Sequence, residues 1–359
     1  MPLKIAFHSN QLSITGTEIA LYDYALGNEQ QLGNKSVIFY DKGNKNNHPQ
    51  AIEKFRQRFD LVAYDQFSEV DEHLVRHGAD LMYMIKSGKR DGKLSRRVPT
   101  MVHAVFPTNP SQAHGASYAF ISEWLSRRCS ADQIPCVPHI VELPEAAGDL
   151  RAELGIGPKE KVIGTYGGRL NFDIRSAREA VTEMVASRAG LRFLFMNTEK
   201  FVDHPNAIFL PGSTDVDYKV RFINTCDAML HARRLGESFG LACGEFSVRN
   251  KPVITYLHNK HTHHHDVLGD KGFYFSDKTS LMRIIDGLDP GIIRAGQWDQ
   301  YTARYNREAV MEKFDRHLIR AALANAGHDR PKQNVDRSAT FAYYSLKIDM
   351  FFNSLFHAN

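Results

Sequence analysis

The stretch GESFGLACGE, residues 236–245, joins a predicted strand to a predicted helix and indicates what the chain can bind. The apolar run AMLHAR, residues 228–233, ends just before it, and a helix is expected to begin near Gly240. The first N–H groups of a helix have no partner within the helix and lie at the positive end of its dipole, so they favour a phosphate or sugar oxygen. Because the junction is rich in small residues, a ligand can approach its backbone closely, and we expect a binding site here.

Two glutamates flank the small residues of this junction. Glu237 precedes the helix, and Glu245 lies about a turn and a half inside it. Carboxylates accept two hydrogen bonds each, which suits vicinal hydroxyls such as those of a ribose. One carboxylate would then meet the head of an elongated ligand and the other a more distant diol. The alternative is that both acids serve only the electrostatics of the helix N-terminus.

Outward from this junction, short apolar runs alternate with helical patterns in two successive series. The first series opens with KIAFHS, and the second restarts at KVIGTYGG after a proline-rich linker, IPCVPHIVELP. Strands that alternate with helices indicate βαβ units and a mostly parallel sheet. We therefore expect an α/β protein with two Rossmann-like, doubly wound domains, residues 1–145 and 146–325. A loop and helix at 326–359 would follow.

The two series also predict where a ligand and the tail lie. Ligands bind at the carboxyl ends of the strands in open α/β sheets, so we expect a central cleft between two such domains.

The aromatic-rich helix FAYYSLKIDMFFNSLF, residues 341–356, is expected to pack back on the first domain. Peripheral contact with a membrane surface stays open, although the segment lacks the Lys/Arg-rich face that such helices usually show.

Composition excludes several classes of protein. The 43% hydrophobic and 24% charged residues are ordinary for a soluble globular protein. The net charge of +4 suits a phosphate-bearing partner, but the chain has no basic stripe or aromatic platform that would indicate nucleic-acid binding. No apolar window reaches the length of a membrane span. The opening MPLKIAFHSN shows no secretory leader and the four cysteines form no C-x-x-C pair, so we expect a cytoplasmic protein with reduced thiols.

The 236–245 stretch resembles the E-x7-E signature of retaining glycosyltransferases of the GT-B fold, in particular glycosyltransferase family 4 (group 1). Glu237 and Glu245 are separated by seven residues, and Phe-Gly-Leu stands in its usual place after the first glutamate. The resemblance implies the GT-B architecture of two Rossmann-like domains. It also implies an enzyme that moves a sugar from a nucleoside diphosphate sugar to a hydroxyl acceptor with retention of anomeric configuration.

Three further places resemble the same family. In SITGTEIALYDYA, Gly16 and Thr17 fall on the loop that approaches the donor phosphates, with Thr15 in place of a usual glycine; a helix cap by a threonine is the alternative. His103, at the end of a strand in TMVHAVFP, is similar to the histidine that faces the donor sugar, although a lone histidine there is often structural. Arg169, after GTYGG, matches the Gly-Arg of the phosphate site, where a guanidinium would neutralise the departing β-phosphate.

The chain departs from the family pattern at one cation. The family has a lysine five residues after the arginine, and this chain has Ile174 there. Arg175, or Arg233 and Arg234 just before the E-x7-E, would supply the second positive charge. This departure predicts a divergent branch of the family.

The resemblance also implies a role for each matched residue. Glu245 would hold the ribose hydroxyls, and Glu237 would hold the donor sugar. The implied catalytic residues are His103, Glu237 and Arg169, and the implied donor-binding residues are Gly16, Thr17, Ser238, Phe239, Gly240, Leu241, Glu245 and Arg233.

The implied partners are a nucleoside diphosphate sugar, most often UDP- or GDP-linked, and a glycan or glycoconjugate acceptor. No metal is required in this fold, because arginines and helix dipoles replace it. Consistently, DVD at residues 215–217 is interpreted as a helix N-cap and not as a metal motif.

A histidine-rich segment, HNKHTHHHDVLGD at residues 258–270, allows three interpretations. The histidines would bind a transition metal, recognise an acceptor, or form a solvated loop. Their spacing matches no zinc framework, so the solvated loop is favoured.

Two other functions are compatible with the same architecture. A noncatalytic sugar-nucleotide-binding scaffold would keep the fold, and the missing lysine leaves that reading open. A sugar-nucleotide epimerase would need acidic residues poised for proton transfer on the sugar ring, and the sequence singles out none.

Overall fold

The structure is a computed structural model that describes residues 1–327, 331 and 335–356. The described chain divides into two compact units. The first comprises residues 1–140 and the described part of 304–349, and the second comprises residues 141–303 with the described end of the chain from residue 350. The expected α/β class with two Rossmann-like domains is confirmed.

The strands are β1 (Lys4–Ser9), β2 (Lys35–Asp41), β3 (Asp60–Tyr64), β4 (Leu81–Lys86), β5 (Thr100–Ala104), β6 (Ser117–Phe120), β7 (Lys161–Tyr166), β8 (Leu191–Met196), β9 (Ala207–Leu210), β10 (Ala228–His231), β11 (Gly236–Glu237), β12 (Val253–Tyr256), β13 (His261–Thr262) and β14 (Phe273–Phe275). The helices are α1 (Gly16–Gln30), α2 (Pro49–Arg56), α3 (Val70–Arg76), α4 (Glu123–Ser130), α5 (Arg175–Ser187), α6 (Val216–Thr225), α7 (Leu241–Val248), α8 (His263–Leu268), α9 (Lys278–Gly287), α10 (Pro290–Ala295), α11 (Thr302–Tyr305), α12 (Arg307–Phe314), α13 (Ala321–Ala324) and α14 (Arg337–Phe356).

The first unit contains a six-stranded parallel sheet in the order β3-β2-β1-β4-β5-β6. Every residue of β4 and β5 is buried, as expected for a parallel sheet covered by helices on both faces. The strand order reverses between β1 and β4, which is where doubly wound sheets bind ligands at their carboxyl edge.

The second unit repeats this topology with a sheet in the order β14-β12-β10-β7-β8-β9. Its reversal point lies between β7 and β10, so the segment that follows β10 leaves from the carboxyl edge, where doubly wound sheets bind ligands. A separate two-stranded ribbon, β11 with β13, lies beyond this edge and holds the histidine-rich segment against the junction.

The chain returns to the first unit earlier than the sequence indicates. The described residues between Arg304 and Asp349 belong to the first unit, whereas the predicted boundary is at 325. The ring of Phe314 in α12 lies 5.2 Å from that of Tyr83 and 5.3 Å from that of Tyr24, so α12 completes the aromatic core of the first unit. These packing partners are distant in sequence, and helical periodicity alone does not identify them.

The last helix, α14, contacts the first unit near α4. Ala339 and Leu346 are buried, and Asp349 pairs with Arg128. These contacts involve the part of α14 before residue 350, and the packing of the whole tail on the first domain stays a prediction. None of the described helices is long and apolar enough to cross a membrane. All four cysteines are free thiols.

Candidate functional site

The junction between β10 and α7 depends on two glycines with left-handed backbone conformations. Gly236 has φ +69°, and a Cβ there would lie 2.1 Å from the carbonyl oxygen of His261 in the paired strand β13. Gly240, the N-cap of α7, has φ +93°, and a Cβ would lie 3.2 Å from the Cβ atoms of Glu237 and His264. Other residues adopt these backbone angles only at a cost, and both positions lack room for a side chain.

Glu237 is held in place by two basic side chains. Its Oε1 accepts a hydrogen bond from Arg233 Nη1 at 3.0 Å and lies 3.2 Å from Nε2 of His231, while its side chain is 22% exposed. Burial acts to raise the pKa of Glu237, but the neighbouring His231 and Arg233 outweigh it and hold the pKa below its ordinary value. The carboxylate is therefore ionised and fixed at neutral pH.

The histidine-rich segment is the buried support of this carboxylate, so the interpretation as a solvated loop is wrong. His261, His263 and His264 are at most 4% exposed. Thr255 Oγ1 lies 2.9 Å from His231 Nδ1 and 2.9 Å from His264 Nε2, which links the segment to Glu237. These histidines are buried because β13 pairs with β11, which brings the polar segment against the junction.

Desolvation sets the charge of this histidine layer. Burial lowers the pKa of His264 well below its ordinary value and that of His265 to about 4. Both rings share Asn259 Oδ1 at 3.1 Å. Within the described residues, no group of three or more His, Cys, Asp or Glu is arranged to hold a metal ion. His264 and His265 are therefore neutral at pH 7, and His264 is linked to Glu237 by hydrogen bonds through Thr255 and His231.

Glu245 lies on α7 with 5% exposure and is paired to a lysine that the sequence analysis does not identify. Its Oε1 accepts a hydrogen bond from Lys219 Nζ on α6, and its Oε2 accepts one from the Tyr166 hydroxyl at the end of β7. The Lys219 side chain is 12% exposed, so this ion pair is shielded from water. Since 26 residues separate the partners, no local motif signals the pair.

Two other predicted cations, Arg169 and Arg175, pair with acids outside the E-x7-E stretch in the described contacts. Arg169 follows β7 with its side chain 74% exposed and lies 3.7 Å from Glu199. Arg175 begins α5 and pairs with Glu179 along that helix. Only Arg233 among the predicted substitutes for the missing lysine contacts an E-x7-E glutamate in the described contacts.

The first turn of α7 presents backbone donors at the junction. Gly244 N–H donates to the Gly240 carbonyl, so the N–H groups of residues 241–243 precede the first intrahelical bond. Phe239 is 2% exposed and its ring lies 5.2 Å from that of His263, so this residue packs against the histidine-rich segment. Ser238 and Leu241 are half-buried.

In the first unit, the loop after β1 is organised by an acid. Glu18 is 2% exposed, and its Oε2 accepts hydrogen bonds from Ser13 and Thr15 hydroxyls, both at 2.6 Å. Thr15 occupies the N-cap position of α1, but its side chain accepts no hydrogen bond from the N–H groups of the helix. Its hydroxyl donates to Glu18 instead. Gly16 and Thr17 form the start of α1, where the helix N–H groups lie.

His103 lies within β5 and is completely buried. Its Nδ1 is 2.8 Å from the Tyr83 hydroxyl, and its Nε2 is 2.8 Å from the Val137 carbonyl. Burial lowers the pKa of His103 to about 4. Both ring nitrogens therefore lie within hydrogen-bond distance of groups in the core. Contact of His103 with a donor sugar stays a prediction, and this geometry does not favour it.

Comparison with known proteins identifies the fold. No protein-family model matches the chain, and no curated protein matches it in sequence. Among solved structures, a glycosyltransferase involved in avilamycin A biosynthesis, AviGT4, is similar with a TM-score of 0.60 and 14% identity over 90% of this chain and 99% of that chain. Anabaena Alr3699/HepE in complex with UDP-glucose is similar with a TM-score of 0.61 and 13% identity, over 90% of this chain and 98% of that chain. A putative UDP-N-acetylglucosamine 2-epimerase from Listeria monocytogenes is similar with a TM-score of 0.57 and 11% identity, over 94% of this chain and 100% of that chain.

At these identities the likeness shows the fold. The chain has two parallel-sheet, Rossmann-like units of six main strands each, which match those of GT-B glycosyltransferases. Function is carried by sites built on a fold, so the activity has to be argued from the residues of the junction.

Proposed function

We propose that this chain is a glycosyltransferase that takes its sugar from a nucleoside diphosphate sugar bound by the second unit. One observation carries the proposal. At the ligand-binding edge of the second sheet, two carboxylates flank the N-terminus of α7, and each is paired with a cation, Arg233 or Lys219. The resemblance to the E-x7-E signature and the GT-B fold support the same reading.

The donor would bind along the junction. The N–H groups at the start of α7 would receive phosphate or sugar oxygens, and Gly240 lets the ligand approach the backbone. Glu237 would hold hydroxyls of the sugar. Glu245 would hold the ribose, since each carboxylate oxygen accepts more than the single hydrogen bond that Tyr166 or Lys219 gives it.

The proposed reaction breaks the bond between the anomeric carbon and the diphosphate oxygen. The acceptor hydroxyl forms the new bond on the same face of the sugar, and its proton passes to the departing diphosphate. Arg169 is exposed and would neutralise charge on that leaving group. We propose a UDP- or GDP-sugar donor, a glycan or glycoconjugate acceptor, cytoplasmic action and no metal requirement.

One structural neighbour makes epimerisation of a sugar nucleotide the second candidate activity. The putative 2-epimerase from Listeria monocytogenes is about as similar in fold as the glycosyltransferases. An epimerase would invert C2 of a sugar nucleotide without any acceptor. A noncatalytic sugar-nucleotide-binding protein would bind the donor and leave it unchanged.

A thermal-shift panel of UDP, GDP, ADP, CDP and dTDP tests donor binding. A nucleotide at a hundred times its dissociation constant should add about 2.7 kcal/mol to the free energy of unfolding. We expect one nucleotide to stabilise the wild type and to fail on Glu245→Ala and Glu237→Gln, whereas Glu53→Ala, on a helix of the first unit, responds like the wild type. Stabilisation by none of the five, with all variants folded, would overturn the proposal.

A further inference from the structure

Lys219 is a cation of the second unit that is shielded from water but only partly hydrogen-bonded. It lies in the first turn of α6 with its side chain 12% exposed, and its Nζ donates to Glu245 Oε1. An ammonium group has three N–H donors. Among the described residues, Glu245 is the one group that accepts a hydrogen bond from this Nζ, so two donors remain for a ligand or for water.

The ion pair between Lys219 and Glu245 is a costly way to join α6 to α7. Taking a lysine and a glutamate out of water costs free energy that their mutual attraction often fails to recover, and a well-packed apolar pair can join two helices without that cost. Glu245 has a second donor in the Tyr166 hydroxyl, whereas Lys219 has no second acceptor in the described contacts. A further anion beside Lys219 would complete its hydrogen bonds and offset the cost.

The Lys219 ammonium lies beside the first turn of α7. Glu245 follows Leu241 by four residues, which is about 6 Å along the helix. Side chains on a helix lean toward its N-terminus, so the Glu245 carboxylate and the ammonium bound to it lie over that turn. The N–H groups of residues 241–243 precede the first hydrogen bond within α7. Ammonium and backbone donors are therefore within reach of one ligand, and the flexible stem of lysine lets the ammonium adjust to it.

A phosphate group is the anion that fits both kinds of donor. Its oxygens accept hydrogen bonds from an ammonium group and from the N–H groups of a helix N-terminus. In a nucleoside diphosphate, only the ribose ring and its exocyclic carbon separate the ribose hydroxyls from the first phosphate. A cation held on the carboxylate that would bind the ribose is thus close to the phosphates.

We propose that Lys219 binds the diphosphate of the donor nucleotide, together with the N–H groups at the start of α7. Its pairing with Glu245 holds the cation beside the ribose, where the diphosphate begins. This assignment rests on the proposed donor binding and adds to it a residue that lies outside the E-x7-E stretch. Lys219 then contributes to affinity through the phosphates and not only through the position of Glu245.

NMR titration of the full chain tests the proposal with two ligands, the nucleoside diphosphate selected by the thermal-shift panel and the corresponding nucleoside without phosphate. Lys219→Gln removes the charge and keeps a side chain that can donate to Glu245. It should weaken binding of the nucleoside diphosphate about tenfold or more and leave binding of the nucleoside unchanged. If Lys219 only positions Glu245, both ligands should lose affinity by the same factor.

A double variant separates Lys219 from its partner and removes both buried charges, so that neither is left unpaired. Added to Glu245→Gln, Lys219→Met should again weaken binding of the nucleoside diphosphate about tenfold, whereas a residue that acts only through Glu245 would have no further effect. Lys161→Met is the control, because Lys161 is a half-buried cation at the amino end of β7, where its Nζ donates to the Ile285 carbonyl. This variant should bind both ligands like the wild type.

The outcomes distinguish this assignment from the proposed function. Equal losses of affinity for the two ligands, unchanged affinity for both, or no further loss in the double variant would overturn the role of Lys219 and leave donor binding intact. A folded wild-type chain that binds neither ligand would overturn the proposed donor binding and the role of Lys219 together.

Discussion

Replacing Gly240 by alanine should damage both the stability of the second unit and its binding of nucleotide. Gly240 has φ +93°, a conformation that costs a residue with a Cβ about 1–2 kcal/mol. The new methyl would also lie 3.2 Å from the Cβ atoms of Glu237 and His264, so these neighbours must move apart. We expect a total loss of about 2–3 kcal/mol, which corresponds to a fall in Tm of roughly 5–10 °C for a unit of this size.

Gly190→Ala provides the control for this prediction. Gly190 also lies in the second unit with a positive φ, +73°, but a Cβ there would have nothing within 4 Å. Gly190→Ala should lose only the free energy that the left-handed backbone conformation costs, about 1–2 kcal/mol, without the added contacts at Gly240. Calorimetric melting and nucleotide titration of both variants check the reasoning, with binding weakened only in Gly240→Ala. Equal melting points in the two variants, or full nucleotide affinity in Gly240→Ala, would refute it.

Three further outcomes follow from the structure. Lys219→Met leaves the buried Glu245 carboxylate without its cation and should cost about 3 kcal/mol in urea denaturation; a cost below about 1 kcal/mol would contradict the shielded ion pair. Because burial lowers the pKa of His103 to about 4, its contribution to stability is complete above pH 6.5 and is lost as the pH falls, by about 1.4 kcal/mol per unit. His103→Gln should therefore flatten the fall in stability between pH 6.5 and 5, and an unchanged slope would argue against its buried, neutral state. Thr255→Val should weaken nucleotide binding by breaking the link between His231 and His264, with an unaltered affinity counting against the supporting layer.

The repeating pattern of strands and helices could be predicted because it depends on local periodicity. Apolar runs such as KIAFHS and KVIGTYGG are buried from both faces of their sheets, so each reveals its strand without tertiary information. The N-cap at Asp215 was predicted for the same reason, and its side chain accepts hydrogen bonds from the N–H groups of Asp217 and Tyr218. The position of the E-x7-E stretch between β10 and α7 also agrees with the sequence analysis.

Features that depend on distant contacts were missed. Lys219 reaches Glu245 only because α6 and α7 flank the same sheet, and no spacing in the sequence relates them. The histidines of 258–265 are polar and were interpreted as solvated, but the pairing of β11 with β13 brings them to the junction, where His261, His263 and His264 are buried. In each case a tertiary contact decides the environment of the side chain.

The measurement that tests the proposed function most directly is an NMR time course of the protein with the sugar nucleotide selected by the thermal-shift panel. The account predicts slow release of the nucleoside diphosphate, with water in place of the acceptor, and a sugar that first appears in the anomeric configuration of the donor. The rate should fall in Glu237→Gln. An intact nucleotide sugar inverted at C2 would identify an epimerase, and a donor that stays unchanged would contradict the glycosyltransferase proposal.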